Sequence, residues 1–85
     1  MSYSIVYSRA AAKAFRGIHP NDQRSIKAAV EGLTVEPRPP GAIQLVGGGG
    51  EYRVRVGDYR IVYDIQDGEL VILVLRVAHR REVYR

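Results

Sequence analysis

Two short turn signals, Gly57-Asp58 and Asp67-Gly68, constrain this chain more than any other feature of its sequence. They separate three β-prone segments: 52–56 and 59–66, which alternate, and 69–77, which is nearly all apolar. Glycine in first place suits a type II′ turn, and Asp-Gly suits type I′. The C-terminal half is therefore expected to be a three-stranded antiparallel meander, with the apolar third strand central or covered on both faces.

The N-terminal half follows a different period. Residues 3–7 alternate and read as a strand, and Ser8 is a natural helix N-cap. Ala11, Ala14, Phe15 and Ile18 then fit the i, i+3, i+4, i+7 stripe of an amphipathic helix. His19-Pro20 ends that helix, since a residue before proline resists the α region. Asn21 is expected to cap a second helix, whose stripe is Ile26, Ala29, Val30 and Leu33. So short a connection makes a helical hairpin with both stripes on one core. Residues 36–50 form a linker with three prolines and four consecutive glycines, Gly47 to Gly50. The glycines lack the GK[ST] ending of a phosphate-binding P-loop, and a strand follows them, so they read as a loop. The expectation is one α+β domain over 1–85: an N-terminal strand, a helical hairpin and a meander joined in one sheet.

Composition narrows the function classes. The absence of cysteine removes disulfides and thiolate chemistry. The longest apolar run, 70–75, is too short to cross a bilayer, and the N-terminus lacks a signal-peptide pattern, so a cytoplasmic protein is expected. Thirteen basic residues against nine acidic ones give +4 and hint at an anionic partner. From Glu51 onward there are seven arginines and no lysine. Arginine suits bidentate phosphate contacts and stacking on bases.

With two-residue loops the register is set. Arg55 then faces Arg60, while Arg53, Arg55 and Arg60 share the face away from the helices. Like charges directly opposite on a sheet destabilise it, and an anion between them reverses the sign. Continued into the third strand, the same register sets Leu75 beside Arg60, with Val77 and His79 on the arginine face. The tail from His79 through Arg80, Arg81, Tyr84 and Arg85 would then close on the arginines.

The stretch from Tyr52 to Tyr63, YRVRVGDYRIVY, followed by an acidic turn, an apolar strand and His79-Arg80 with Tyr84, resembles the RelE/ParE superfamily of bacterial toxins. The order of elements matches too, so the resemblance covers essentially the whole chain. It implies the RelE-like fold, a cognate antitoxin and, for the RelE branch, metal-independent and cofactor-free cleavage of messenger RNA in the ribosomal A site. It gives Arg60 the contact to the scissile phosphate. Arg80 takes the support of the leaving group or transition state, and Tyr84 the stacking on the substrate nucleotide. Arg53 and Arg55 fall where RelE carries lysines, and with Arg81 and Arg85 they make up the RNA-binding set. The match at Arg60, Arg80 and Tyr84 favours this branch over the ParE branch, which poisons DNA gyrase. A degenerate, antitoxin-bound family member is a third reading.

Two departures bear on catalysis. Arg55 replaces a lysine proposed as general base, and a guanidinium is a poor base. Gln44 stands where many relatives carry a basic residue. Among the remaining groups His79 is the leading candidate base, with Glu51 and Glu82 behind it.

Overall fold

The computed structural model describes residues 2–47 and 49–83, the last two through their backbone alone. Its elements are β1 (Ser4–Tyr7), α1 (Arg9–Arg16), α2 (Pro20–Gly32), β2 (Ile43–Gln44), β3 (Tyr52–Val56), β4 (Tyr59–Gln66), β5 (Val71–His79) and α3 (Arg80–Val83). The strands form one sheet in the order β1-β5-β4-β3-β2, with β1 parallel to β5 and the other pairs antiparallel. The α+β expectation holds, and β5 is interior, paired on both edges.

The helices cover one face of the sheet. Ala11, Ile26, Val30 and Leu33 pack against Ile61, Tyr63, Ile72, Val74 and Val77. Tyr63 is fully buried, and its hydroxyl donates to the Pro37 carbonyl at 2.7 Å, which anchors the proline-rich linker beneath the sheet. Burial pushes this phenol up to about 12.

Ser8 caps α1 as expected, its hydroxyl accepting from the Ala11 amide at 3.1 Å. The cap of α2 differs from expectation. His19, not Asn21, holds it: the imidazole Nδ1 accepts from the Asn21 amide at 3.1 Å, and Pro20 begins the helix. Proline needs no donor at the first helical position, and its fixed φ suits that place.

The Gly57-Asp58 turn joins Val56 directly to Tyr59, with Gly57 at φ 59°, the left-handed value that favours glycine. The second turn is longer than the sequence suggests. Gln66 pairs with Val71, so residues 67–70 form the loop, and Leu70 takes the positive φ of 54°. A slip of two residues keeps the same side chains on each face, so hydrophobic alternation cannot distinguish the two registers.

A β-bulge then changes the face. Tyr63 pairs with Val74, but Val62 pairs with Arg76, leaving Leu75 as the extra residue. Beyond it Val77 joins the core, and Arg76 and Ala78 turn to the far side. In the uninterrupted register Arg76 would have pointed beneath the helices, where an unpaired cation costs several kcal/mol. The Leu75 carbonyl accepts a hydrogen bond from the Ser8 hydroxyl at 2.9 Å, and the Ser8 amide donates to Val74 at 2.8 Å. One serine thus caps α1 and ties down the bulge.

At the opposite end of the sheet, Asp67 accepts hydrogen bonds from the Tyr3 hydroxyl and from Arg38, the latter at 3.1 Å. Arg38 also donates to the Tyr52 hydroxyl at 3.2 Å. The Tyr3 hydrogen bond, then that of Arg38, holds the Asp67 carboxyl below its usual value of 3.8.

Two outcomes follow for stability. Ser8→Ala loses the cap and the bulge tie, and is expected to cost about 1–2 kcal/mol or somewhat more in urea denaturation. Ser8→Asp keeps the cap but cannot donate to Leu75, and should recover only part of the loss. A lowered carboxyl value stabilises the fold above the unfolded value and loses that effect as pH falls through the folded one. The melting temperature of wild type should therefore exceed that of Asp67→Asn at neutral pH, with the gap closing as pH drops below 3.8.

Candidate nucleic-acid interface

The face away from the helices carries the arginines. Arg53 pairs with Val62, which pairs with Arg76, and Arg55 pairs with Arg60, which pairs with Ala78. Paired residues point to the same side of a sheet. Arg53, Arg60 and Arg76 line a concavity of about 180 Å³, together with Leu45, Val62 and Ala78. Among the described residues no carboxylate is in that lining. Arg60 is 5% exposed, Arg53 half-buried, and Arg55 and Arg76 exposed.

Leu45 reaches this face because β2 pairs with β3 and the glycine turn doubles back. The Leu45 amide donates to the Glu51 carbonyl at 2.9 Å, with Gly47 and Gly50 at φ 80° and 96°. The Glu51 carboxylate accepts from the Gly49 amide at 2.8 Å, so it serves the turn.

The Arg55–Arg60 pair stands as the sequence indicated, and Arg53 shares its face. His79 does not. Because of the bulge it lies opposite Tyr59 on the helix side, where the rings meet edge-on at 5.2 Å. There it borders a separate concavity of about 490 Å³ with Lys13, Ala14, Ile18, Tyr59 and Val77. Leu75 and Val77 likewise leave the positions beside Arg60 to Ala78 and Arg76. His79 Nδ1 accepts from the Arg81 amide at 3.2 Å, so in the neutral ring Nε2 carries the proton.

Arg80 is anchored to the β3–β4 turn, at the same end of the sheet as the Arg55–Arg60 pair. Its amide donates to the Asp58 carbonyl at 2.7 Å, and its Nε lies 3.8 Å from the Asp58 carboxylate. Arg81 is exposed. Tyr84 and Arg85 lie outside the described residues, as does the Glu82 side chain. Among the described residues no three His, Asp or Glu side chains gather as a cation site, and no helix is long and apolar enough to cross a membrane.

Arg76 was missed by the sequence reading, although a signal was present. A lone arginine inside an apolar strand, with core-facing parity, requires either a partner in the core or a shift of face.

This arrangement is chemically suited to anions. Guanidiniums in a concavity with apolar walls are preorganised donors, worth more where water is partly excluded. A model of the ParE toxin of the type II toxin–antitoxin system parDE matches residues 5–84. The chain belongs to the RelE/ParE superfamily of type II toxins. The toxin is similar to toxin RelG of Mycobacterium tuberculosis, at 32% identity over 89 residues, covering 100% of this chain and 99% of RelG. Its fold matches RelE in the RelE–RelB complex of Pyrococcus horikoshii with a TM-score of 0.82 at 29% identity, over 94% of this chain and 97% of the other. The isolated RelE toxin of E. coli matches with a TM-score of 0.82 at 25% identity, over 98% and 92%.

The like-charge pair offers a direct check. Arg55→Glu places opposite charges across the β3–β4 ladder and is expected to raise stability by a few tenths to about 1 kcal/mol in urea denaturation. The same substitution should weaken binding of a single-stranded RNA oligonucleotide at least tenfold in fluorescence anisotropy.

Proposed function

We propose that this toxin is a ribosome-dependent, metal-independent endoribonuclease that cuts messenger RNA in the A site. The observation that carries the reading is the arginine concavity on the open face of the sheet, whose lining among the described residues includes no carboxylate. The 2′-hydroxyl attacks the adjacent phosphorus in line. The O2′–P bond forms, the P–O5′ bond breaks, the 2′ proton passes to solvent water, and O5′ takes up a proton from water. The products are a 2′,3′-cyclic phosphate and a 5′-hydroxyl end. Arg60 and Arg55 stabilise the charge gathering on the phosphorane, and Arg80 supports the leaving oxygen. Tyr84 stacks on a base, as aromatics do with unstacked RNA. Arg53, Arg81 and Arg85 hold flanking phosphates. His79 faces the helices and accepts the Arg81 amide, so its contribution in this account is to set the start of α3 and with it Arg80.

A cognate antitoxin is part of the proposal. The P. horikoshii relative is solved in complex with RelB, and an exposed cationic face suits a segment that folds on binding. Two observations favour a second reading, inhibition of DNA gyrase. The matching family model is that of ParE, and among the described residues the cationic concavity includes no side chain able to act as a base at neutral pH.

Primer extension in a translating extract separates the two. Fragments with 5′-hydroxyl ends are expected, with cleavage abolished when the codon carries 2′-deoxyribose. Arg60→Ala or Arg80→Ala should each slow cutting roughly 10²–10³-fold. Intact messenger RNA alongside gyrase-dependent DNA breaks would select the second reading, and undiminished cutting by a variant carrying both Arg60→Ala and Arg80→Ala would remove the first.

A further inference from the structure

Two rows of side chains cross the open face. Arg53, Val62 and Arg76 form one, and Arg55, Arg60 and Ala78 form the next. Residues two apart along a strand are separated by about 6.6–6.8 Å. That is comparable to the spacing of successive phosphates in an unstacked single strand. Each row carries two guanidiniums, arranged differently. In the second row Arg55 and Arg60 are direct neighbours. In the first, Arg53 and Arg76 flank Val62, with their backbones two strand spacings, about 9.5 Å, apart. Forked side chains at that separation can close on one phosphate from both sides, and Val62 between them offers an apolar floor.

Arg76 is exposed and makes no ion pair among the described residues. It lines the concavity with Arg53 and Arg60, and among the described residues that lining holds no carboxylate. A stability role on this face would be served as well by an apolar residue, as at Val62 and Ala78 beside it. The bulge is what turns Arg76 to this side.

We propose that the open face binds two successive phosphates of single-stranded RNA, one between Arg55 and Arg60 and the next between Arg53 and Arg76. Arg76 is thus a binding residue for the second phosphate. This rests on the reading that the face takes RNA, but not on its being cut.

The test uses a 2′-O-methyl uridine heptanucleotide, which offers no 2′-hydroxyl for attack, and reads binding by anisotropy across a salt series. Each phosphate contact on a single strand contributes a slope of about −0.7 in log K against log salt. Arg76→Ala and Arg76→Gln should each weaken binding and make the slope shallower by about 0.7, while Arg76→Lys keeps most of it. A heptamer with one neutral methylphosphonate linkage, moved along the chain, should weaken wild type at two adjacent linkages. At one of these Arg76→Ala should show no further loss. Unchanged slopes in Arg76→Ala and Arg76→Gln with unchanged melting temperatures would overturn the inference, as would full additivity at every linkage. Binding of this kind without cleavage in the extract removes the nuclease reading and leaves this one. Cleavage with binding indifferent to Arg76 does the reverse.

Discussion

The bulge at Leu75, held by the Ser8 hydroxyl, is the constraint on which the rest depends. Strands β4 and β5 must serve two environments at once, an apolar core on one face and a cationic surface on the other. Strict alternation through β5 after Ile72 and Val74 would send Arg76 into the core and Val77 out among the arginines. One extra residue reverses that choice. Val77 then packs with Ala11, Ile26 and Ile61, and Arg76 joins Arg53 and Arg60. The same step carries His79 to the helix side, beside Tyr59. A bulge leaves backbone polar groups without ladder partners, and here the N-cap of α1 supplies one. Helix packing and site geometry are therefore coupled through a single hydroxyl.

On the cationic face, stability and the proposed function pull in opposite directions. Arg55 opposes Arg60 directly, and Arg60 is 5% exposed, although a guanidinium in a protein keeps its charge. A sheet selected for stability alone would place a carboxylate or a β-branched residue across from Arg60. Two cations kept side by side there suit the proposed binding of an anion, which would offset their repulsion. Such preorganisation is what electrostatic stabilisation of a charged transition state requires. Firm attachment elsewhere offsets the cost: Tyr63 on Pro37, and Asp67 gathering Tyr3 and Arg38 at the far end of the sheet.

The order of elements, the helical hairpin and the first strand turn were legible in the sequence because each rests on local chemistry. Gly57 supplies a positive φ, Ser8 a capping oxygen, and the stripes of α1 and α2 a period of 3.6. Three things were not. Asp67-Gly68 signals a turn, yet the pairing of Gln66 with Val71 keeps the same residues in the core as the shorter loop would. The two-residue β2 is too short to carry a period. The bulge sits in a strand so uniformly apolar that only Arg76 betrays it. Within the site, Arg53, Arg55 and Arg60 could be grouped from parity alone. Arg76 could not, and His79 was assigned to the wrong side, because both lie beyond the bulge. Membership of the RelE/ParE superfamily was readable from the stretch between Tyr52 and Tyr63 and the tail that follows β5.

The central claim is that the fold gathers Arg53, Arg55, Arg60 and Arg76 on one face to hold RNA phosphates. It is tested most directly by a nuclear magnetic resonance titration of the arginine Nε–Hε groups with the 2′-O-methyl uridine heptanucleotide. The account predicts that signals of these four shift together and saturate at one affinity, while those of Arg9, Arg16 and Arg24 on the helices stay in place. Shifts confined to the helix arginines, or an open face indifferent to RNA, would contradict it.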